Sequence, residues 1–365
     1  MRKAILHMDI LKFQNETSER SEPQNWVNKE LSSSELFHYA SFEGCNENSS
    51  NLVTTIMDRA VIEVSGDLSA LPSEINVLER IKEKEGRAFI GKINFCRLLG
   101  LPYTYILYSY NPVFVLRYEV NKDICTFMER YSTFADFSKW IMKIKGWKST
   151  KKYEENKDLP LFDKLLRKAG CAWPTNIDSV AYNNDNRPVA IIEFQNSKLI
   201  KVSKHFNNYY YLRHRDRDNN ITSQGADEQR WRSQEILRLQ SLLPHFTIVW
   251  SQNEKVIIIK KLHGVAFPDY DVDNEQDKYG EELTVFAESL KSNPKLWRNK
   301  NYELIRKQYS SYRLRYESGF MKTEKNPSPL SFDDMTFPFL YGKRIVTLKK
   351  DHISSYLDNL LKSLE

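Results

Sequence analysis

The chain of 365 residues and 43.1 kDa is long enough for two domains, or for one large core with appendages. Its residues are 41% hydrophobic and 13% aromatic, and the mean hydropathy of −0.59 predicts a soluble protein with a substantial core. No segment approaches the roughly 18 consecutive apolar residues of a membrane span, and the N-terminal apolar stretch is too interrupted for a secretory signal. We therefore expect a cytoplasmic protein with no membrane partner.

Charge and cysteine content exclude few classes of function. The net charge is +6, because 54 basic residues are interspersed with 48 acidic ones, so a polyanionic partner is permitted but not required. The four cysteines are far apart and show no CxxC spacing. This pattern argues against a zinc site or a disulfide framework and fits a reducing compartment.

Polar, turn-rich segments divide the chain into three regions. We expect an N-terminal α/β region over residues 1–150, a core over 151–275, and a mainly helical region over 276–365. The segments predicted to be loops or linkers span residues 44–51, 145–160, 268–282 and 322–334.

The N-terminal region and the core share an order of predicted elements. A strand at 60–66, a helix that ends near residue 100, and strands at 103–111 and 113–120 follow one another. Strand, helix, strand and strand also follow one another within 190–262, so a weak internal repeat is one interpretation. Strand, helix and hairpin form a common unit, however, and chance similarity is the simpler explanation.

The core has the clearest pattern. Pro160 suits the first turn of a helix, and Gly170 suits the position just after its end. The order of elements predicts an α/β sheet sandwiched by helices. The predicted elements are a helix at 158–170, strands at 176–182 and 189–195, a helix at 225–244, and strands at 245–251 and 255–262.

Acidic side chains interrupt two strands of the core that otherwise look buried. Because side chains alternate along a strand, Glu193 and Gln195 project to one face, and Asp178 lies on the neighbouring strand. A short turn brings the carboxylates of Asp178 and Glu193 together, where they repel unless a cation lies between them. Carboxylate oxygens and the backbone carbonyl of Phe194 suit Mg²⁺, with Mn²⁺ as a substitute. A metal held there would polarise a phosphodiester and generate hydroxide for in-line attack.

These residues carry a family resemblance. Asp178, fourteen intervening residues and then Glu193-Phe194-Gln195, inside the order helix–strand–strand–helix–strand–strand, resemble the PD-(D/E)XK nuclease superfamily, which includes the restriction endonucleases. The resemblance covers about residues 158–262. It implies a restriction-endonuclease-like core, metal ligation by Asp178 and Glu193, and positioning of the attacking water by Gln195.

The sequence departs from the family pattern at two positions. Gln195 stands where the family usually has lysine, and Ile177 stands at the leading proline. A neutral amide can position a water but cannot stabilise charge as an ammonium does, although some active restriction enzymes carry glutamine there. Asp163, on the preceding helix, is a weak match to an additional acidic residue of some members.

A basic, aromatic segment at 197–218 follows the second strand of the core. Its basic side chains could contact DNA phosphates, and its tyrosines could pack on sugars or bases. The alternative interpretation is a solvent-exposed amphipathic helix. A second such segment, 295–322, suits a DNA clamp, a dimer contact or core packing. The predicted DNA-binding residues are Lys198, Lys201, Lys204, Arg213 and Arg215.

Asp58 and Glu63 in the N-terminal region resemble the carboxylate pattern of the core. The gap between them is only four residues, and Ser65 occupies the third position of the motif. Both acids would need one strand to turn sharply between them. We interpret this pair as structural, or as a degenerate copy of the core motif.

The resemblance implies a Mg²⁺-dependent endonuclease, most simply a sequence-specific type II restriction enzyme. Its partner would be double-stranded DNA, and a symmetric duplex target favours a homodimer. Gln195 leaves open a non-catalytic DNA-binding protein on the same fold. A second alternative is a protein-interaction component whose basic, aromatic helices face another protein. RNA is less favoured as a substrate, because no RNA-binding motif is present.

Overall fold

The computed structural model describes separate segments of the chain. These are residues 12–14, 29–47, 52–63, 74–108, 112–122, 124–145, 161–171, 175–197, 202, 214–215, 221–222, 226–251, 253–263 and 341–365. The fold is mixed α+β, with a large central sheet flanked by helices, which confirms that part of the prediction. None of the helices in these segments is long and apolar enough to cross a lipid bilayer.

The chain divides into two compact units. Unit 1 comprises Met1–Phe194, Ile236–Pro244 and Lys349–Glu365, and unit 2 comprises Gln195–Glu235 and His245–Leu348. The elements in chain order are β1 (Lys12–Gln14), β2 (Phe37–Glu47), β3 (Val53–Glu63), α1 (Glu74–Glu85), α2 (Ala88–Leu98), β4 (Tyr103–Tyr108), β5 (Val113–Glu119), β6 (Ile124–Tyr131), α3 (Phe134–Lys145), α4 (Leu161–Lys168), β7 (Thr175–Asn183), β8 (Pro188–Asn196), β9 (His214–Arg215), β10 (Ile221–Thr222), α5 (Ala226–Ser241), β11 (His245–Trp250), β12 (Val256–His263), β13 (Tyr341–Lys349) and α6 (Ile353–Lys362).

In unit 1, hydrogen-bonded neighbours follow the order β8, β7, β2, β3, β4, β5 and β6, and β1 pairs with the end of β3. All of these pairs are antiparallel except β3 and β4, which run parallel. A parallel pair needs a long crossover connection, and α1 and α2 supply it. The strands that carry the candidate acids, β7 and β8, form a hairpin beside β2.

One face of this sheet is covered by α3 and α4. Phe134 and Phe137 of α3 and Phe162 of α4 form an aromatic cluster, and Phe162 lies 5.0 Å from the Tyr108 ring of β4. The predicted helix at 158–170 is present as α4, and Gly170 follows it with φ +66°, which a residue without Cβ adopts most readily. The sequence placed this helix correctly because its apolar period and its terminal glycine agree.

The other face receives α2, which packs closely against the sheet at Gly91. A Cβ at this position would lie 3.0 Å from the Cγ and Cδ1 atoms of Tyr182 on β7. Tyr182 is fully buried and stacks on His38 at 5.3 Å, so its ring has little room to move. Glycine at this position therefore permits close packing of the helix on the sheet.

We expect Gly91→Ala to destabilise the protein by about 1–3 kcal/mol, the usual cost of overpacking a core. The gain in helix propensity, about 1 kcal/mol, offsets only part of this cost. Urea unfolding followed by circular dichroism measures the change. Ile90→Ala, at an exposed position of the same helix, is the control and should change stability by less than about 0.5 kcal/mol. A Gly91→Ala protein more stable than the wild type would contradict the packing argument.

Unit 2 contains the remaining strands. β11 and β12 pair antiparallel, with Thr247 opposite Lys260, and β13 lies beside β12. β9 and β10 form a separate two-stranded ribbon. Val202, Val249 and Ile258 form a buried apolar cluster. The predicted strands at 245–251 and 255–262 correspond to β11 and β12.

One predicted loop is wrong in its first half. Residues 44–47 complete β2 instead of starting a turn, and Cys45 and Asn46 are fully buried against β3. Pairing on both edges of β2 outweighs the turn preference of this polar sequence. Residues 48–51, the predicted linker after Lys145, and the predicted loops at 268–282 and 322–334 lie outside the described residues. The predicted helical region is described only from residue 341, where β13 precedes α6.

Candidate functional site

The β7–β8 hairpin positions the two candidate acids. Asn183 closes its turn, because the side-chain Oδ1 accepts hydrogen bonds from the N–H groups of Asp185 and Arg187. Asn186 takes the positive φ of 59° that the turn requires, a conformation that asparagine tolerates better than most residues. The resulting register pairs Ser179 with Ile192. Asp178 and Glu193 are therefore the next facing positions.

At these positions the backbone ladder gives way to side-chain hydrogen bonds. The N–H of Asp178 donates to Glu193 Oε1 at 3.2 Å, and the N–H of Phe194 donates to Asp178 Oδ2 at 3.0 Å. Each strand thus offers its amide to the carboxylate of the other strand. The structure therefore brings together the two acids that the sequence singled out.

Burial differs between the two acids. Glu193 is fully buried, whereas Asp178 is half-buried. Burial of a carboxylate is costly unless hydrogen bonds or a cation compensate, and the Asp178 amide supplies one such bond to Glu193. The half-buried Asp178 gives the pair its contact with solvent.

The donor set fits Mg²⁺. Two carboxylates with about four lone-pair sites each can accept backbone N–H groups and still ligate a metal. No group of three or more His, Cys, Asp or Glu side chains in the described segments is arranged to hold a metal ion. Mg²⁺ does not need such a group, since it commonly takes one or two carboxylates and completes its shell with waters and phosphate oxygens.

The other two predicted site residues lie on the same strand. Phe194 has a buried side chain, and its N–H is committed to Asp178; ligation by its carbonyl stays a prediction. Gln195 is partly exposed, but its side-chain Oε1 is buried and accepts no hydrogen bond in the described segments. An amide oxygen in that state has capacity left for a donor such as water.

Four of the five predicted DNA-binding residues lie in parts of the chain that the structure does not describe. These are Lys198, Lys201, Lys204 and Arg213. Arg215 is described only as part of the backbone of β9. The second basic segment, 295–322, also lies outside the described residues.

A second facing pair of acids, which the sequence analysis missed, lies on β2 and β3. Gly44 pairs with Met57, so Glu43 and Asp58 are the next facing positions. The N–H of Glu43 donates to Asp58 Oδ1 at 3.1 Å. The spacing of Glu43 and Asp58 is the same as that of Asp178 and Glu193, 15 residues. The equal spacing is the feature of the sequence that indicates the second pair. Because residues 44–47 are predicted as a loop, the sequence analysis does not recognise β2 as a strand and does not find the pair.

Asp58 lies in a buried ion network. The Lys92 ammonium on α2 lies 2.8 Å from Asp58 Oδ2 and 2.5 Å from Glu85 Oε2. Tyr103 donates its hydroxyl proton to Asp58 at 2.8 Å, and Tyr105 donates to Glu85 at 2.9 Å. The network thus holds two carboxylates around one ammonium.

Burial and the neighbouring charges set the ionisation of this network. Burial raises the pKa of Asp58, and Lys92 opposes that effect. Burial would lower the pKa of Lys92, but the two carboxylates outweigh it and raise the pKa above its usual range. Burial likewise acts to raise the pKa of Glu85, and Lys92 outweighs it and lowers that pKa. Lys92 is therefore a charged ammonium at neutral pH.

Asp163, the weak candidate for an additional acid, pairs with Arg59. Arg59 Nη1 lies 3.2 Å from Asp163, and Nη2 lies 3.1 Å from Glu43. The guanidinium also stacks 4.5 Å above the Phe162 ring. A small pocket lies among these residues, lined by Glu43, Met57, Asp58, Arg59, Ile106, Phe162 and Asp163.

Unit 2 contains a buried lysine that the sequence analysis placed only as part of a strand. Lys260 on β12 is fully buried. Burial, assisted by the positive charge of Arg344 on β13, lowers the pKa of Lys260 to about 7. Lys260 and Lys261 are adjacent in an apolar strand, and the sequence pattern does not indicate which of the two faces inward.

Comparisons of the chain with protein-family models, with curated proteins and with solved structures find no match. The resemblance to PD-(D/E)XK nucleases therefore stays a prediction. The geometry of the Asp178–Glu193 pair is the feature from which a function can be inferred.

Proposed function

We propose that the protein is a metal-dependent endonuclease that hydrolyses phosphodiester bonds in double-stranded DNA. The observation that carries the proposal is the exchange of hydrogen bonds between Asp178 and the Glu193-Phe194 segment. That exchange holds two carboxylates at facing positions, where their mutual repulsion favours a bound cation.

The chain's own residues have separate roles in this proposal. Asp178 and Glu193 hold the metal, and the hydrogen bonds to them fix the carboxylate orientations before substrate arrives. Mg²⁺ at this position supplies Lewis acidity toward the phosphate and lowers the pKa of bound water. Gln195 orients the attacking water through its side-chain oxygen. Asp178 is half-buried, so solvent and substrate reach the pair through it.

A non-catalytic DNA-binding protein is the second candidate function, and Gln195 favours it. A neutral amide cannot offset the negative charge that develops on the phosphate, whereas an ammonium can. This candidate predicts DNA binding that weakens steeply with salt and does not depend on a divalent cation.

The test is cleavage of unmodified plasmid and phage DNA by the purified full chain. Reactions contain Mg²⁺, Mn²⁺, Ca²⁺ or EDTA, and gel shifts at several salt concentrations measure binding. We expect products with Mg²⁺ or Mn²⁺ and none with EDTA. Intact DNA with both metals, together with salt-sensitive binding, would replace the nuclease by the non-catalytic candidate. Intact DNA without binding would overturn both and leave a protein-interaction role.

A further inference from the structure

Four exposed leucines lie in unit 1 around the point where three segments of the chain meet. The Gln240 side chain of α5 joins these segments. Its Oε1 accepts a hydrogen bond from the Val53 N–H at 2.9 Å, and its Nε2 donates to the carbonyls of Val53 and Leu99 at 3.4 and 3.5 Å. Each leucine lies within two residues of one of these three residues. The four leucines, called the leucine patch below, are Leu52, Leu98, Leu239 and Leu242.

The grouping of these exposed side chains is the first observation. Leu52, Leu98 and Leu239 are 40–52% exposed, and Leu242 is 85% exposed. Single exposed apolar side chains are normal on a protein surface, whereas apolar side chains exposed side by side mark an interaction surface. The grouping, and not the exposure of any one leucine, therefore indicates a binding surface.

The backbone of Leu242 is the second, independent observation. Leu242 follows the last residue of α5 with φ +58°, in the left-handed region that a bulky side chain disfavours. Glycine adopts this conformation without strain. The helices α1, α2 and α4 each have a glycine with positive φ within two residues of their end, and these glycines are Gly86, Gly100 and Gly170. At the end of α5 a strained and exposed leucine takes this place, which points to a function of its side chain.

The chemistry of the leucine patch and its rim favours a second copy of the same chain as the partner. The patch is aliphatic, and its rim carries both signs of charge, with Arg97 and Arg238 on the helices and Glu47 on β2. In a twofold contact the same surface lies on both partners, so leucines pack on leucines and Arg97 of one copy can face Glu47 of the other. A polyanion such as DNA would instead select a surface with one sign of charge.

We propose that the leucine patch is the surface through which two copies of the chain form a homodimer. The choice of a second copy rests in part on the proposed function, because a nuclease with one metal centre per chain needs two chains to cut both strands of a duplex. The exposure of the patch and the strain at Leu242 are independent of that function. Asp178 and Glu193 belong to the same unit as the patch, so dimerisation would fix the two acid pairs relative to each other.

The experiment measures the oligomeric state of the full chain by sedimentation velocity over a dilution series, without DNA and without divalent metal. We expect a wild-type dimer whose Kd is raised about 10–100-fold by Leu242→Gly, because each substitution acts twice in a twofold contact. Glycine relieves the backbone strain at this position. At concentrations where both proteins are monomeric, the unfolding midpoint of Leu242→Gly should therefore be at least that of the wild type.

A second variant and a matched control complete the experiment. Leu98→Gln combined with Leu239→Gln leaves the backbone of Leu242 unchanged and should weaken the dimer in the same way. Ile124→Thr is the control, because Ile124 is 48% exposed on β6 of the same unit. It should leave the dimer Kd within about twofold of the wild type, in line with the small effect of most surface substitutions.

The outcomes separate this inference from the proposed function. A dimer that Leu242→Gly or the double variant weakens, and Ile124→Thr does not, would support the inference even in a protein that cleaves no DNA. A chain that is monomeric at every concentration would overturn it, even if that chain cleaves DNA. A dimer that neither variant weakens, or that the control weakens equally, would also overturn it. A lower unfolding midpoint for monomeric Leu242→Gly would mean that the chain itself covers the patch, which again overturns the inference.

Discussion

Glu193→Gln is expected to lower the rate of Mg²⁺-dependent DNA cleavage by about 10²–10³-fold, the cost of losing one preorganised electrostatic contact in an active site. Glutamine has nearly the shape of glutamate and keeps one oxygen to accept the Asp178 N–H. It removes the negative charge that the metal requires. DNA cleavage should therefore be lost while the β7–β8 hairpin keeps its structure.

Separate measurements assign this loss to metal binding. The Kd for Mn²⁺ should rise by about 10–100-fold or more, while DNA binding in Ca²⁺-free buffer and the thermal unfolding midpoint stay close to the wild type. Asp185→Asn is the matched control, because Asp185 is an exposed acid in the turn of the same hairpin. It should cleave as the wild type does. A Glu193→Gln protein within tenfold of the wild-type rate would remove Glu193 from the metal centre.

The sequence was sufficient to place Asp178 opposite Glu193. Both strands are apolar, and the turn between them is short and rich in Asn and Asp, which sets a single register. β8 is buried on both faces, so its register follows from the short turn and not from an alternation of apolar side chains. These local signals are strong because the hairpin is formed from adjacent parts of the chain.

The sequence was not sufficient to find the second acid pair. Glu43 and Asn46 lie in a polar, turn-like stretch, and only pairing with β3 and β7 makes that stretch a strand. Asp58 and Glu63 belong to one continuous strand, β3, so they are not a pair on neighbouring strands. The true partner of Asp58 could be found only from the strand order.

The inward-facing position of Lys92 is equally hidden in the sequence. Lys92 occurs in the helix sequence "AFIGKINFCRL", where a single lysine usually marks a solvent-facing position. It faces inward because Asp58 and Glu85 reach it from β3 and α1. Ion pairing between distant segments is a property of the tertiary structure, so no local pattern indicates it.

Lys260→Met is expected to stabilise the protein at pH 6 by on the order of 4 kcal/mol and to change little near pH 10. The pKa of Lys260 is about 7 in the folded chain and near 10.4 in an unfolded one. Between these values the unfolded chain holds a proton that the folded chain lacks, so the wild-type free energy of unfolding rises with pH, by about 1.4 kcal/mol per pH unit. Below pH 7 both states are protonated and the full cost of the buried ammonium remains.

Urea unfolding of wild type and variant at pH 6, 7, 8 and 9 measures this dependence as a difference between the two proteins. Methionine fills nearly the volume of the lysine stem and carries no charge, so the variant should lack the rise with pH. Lys261→Met is the matched control, because Lys261 is the next residue on β12 and is partly exposed; it should keep the wild-type slope. Parallel pH curves for wild type and Lys260→Met would mean that Lys260 keeps its proton in the folded chain. In that case a negatively charged partner of Lys260, and not burial, would determine its pKa.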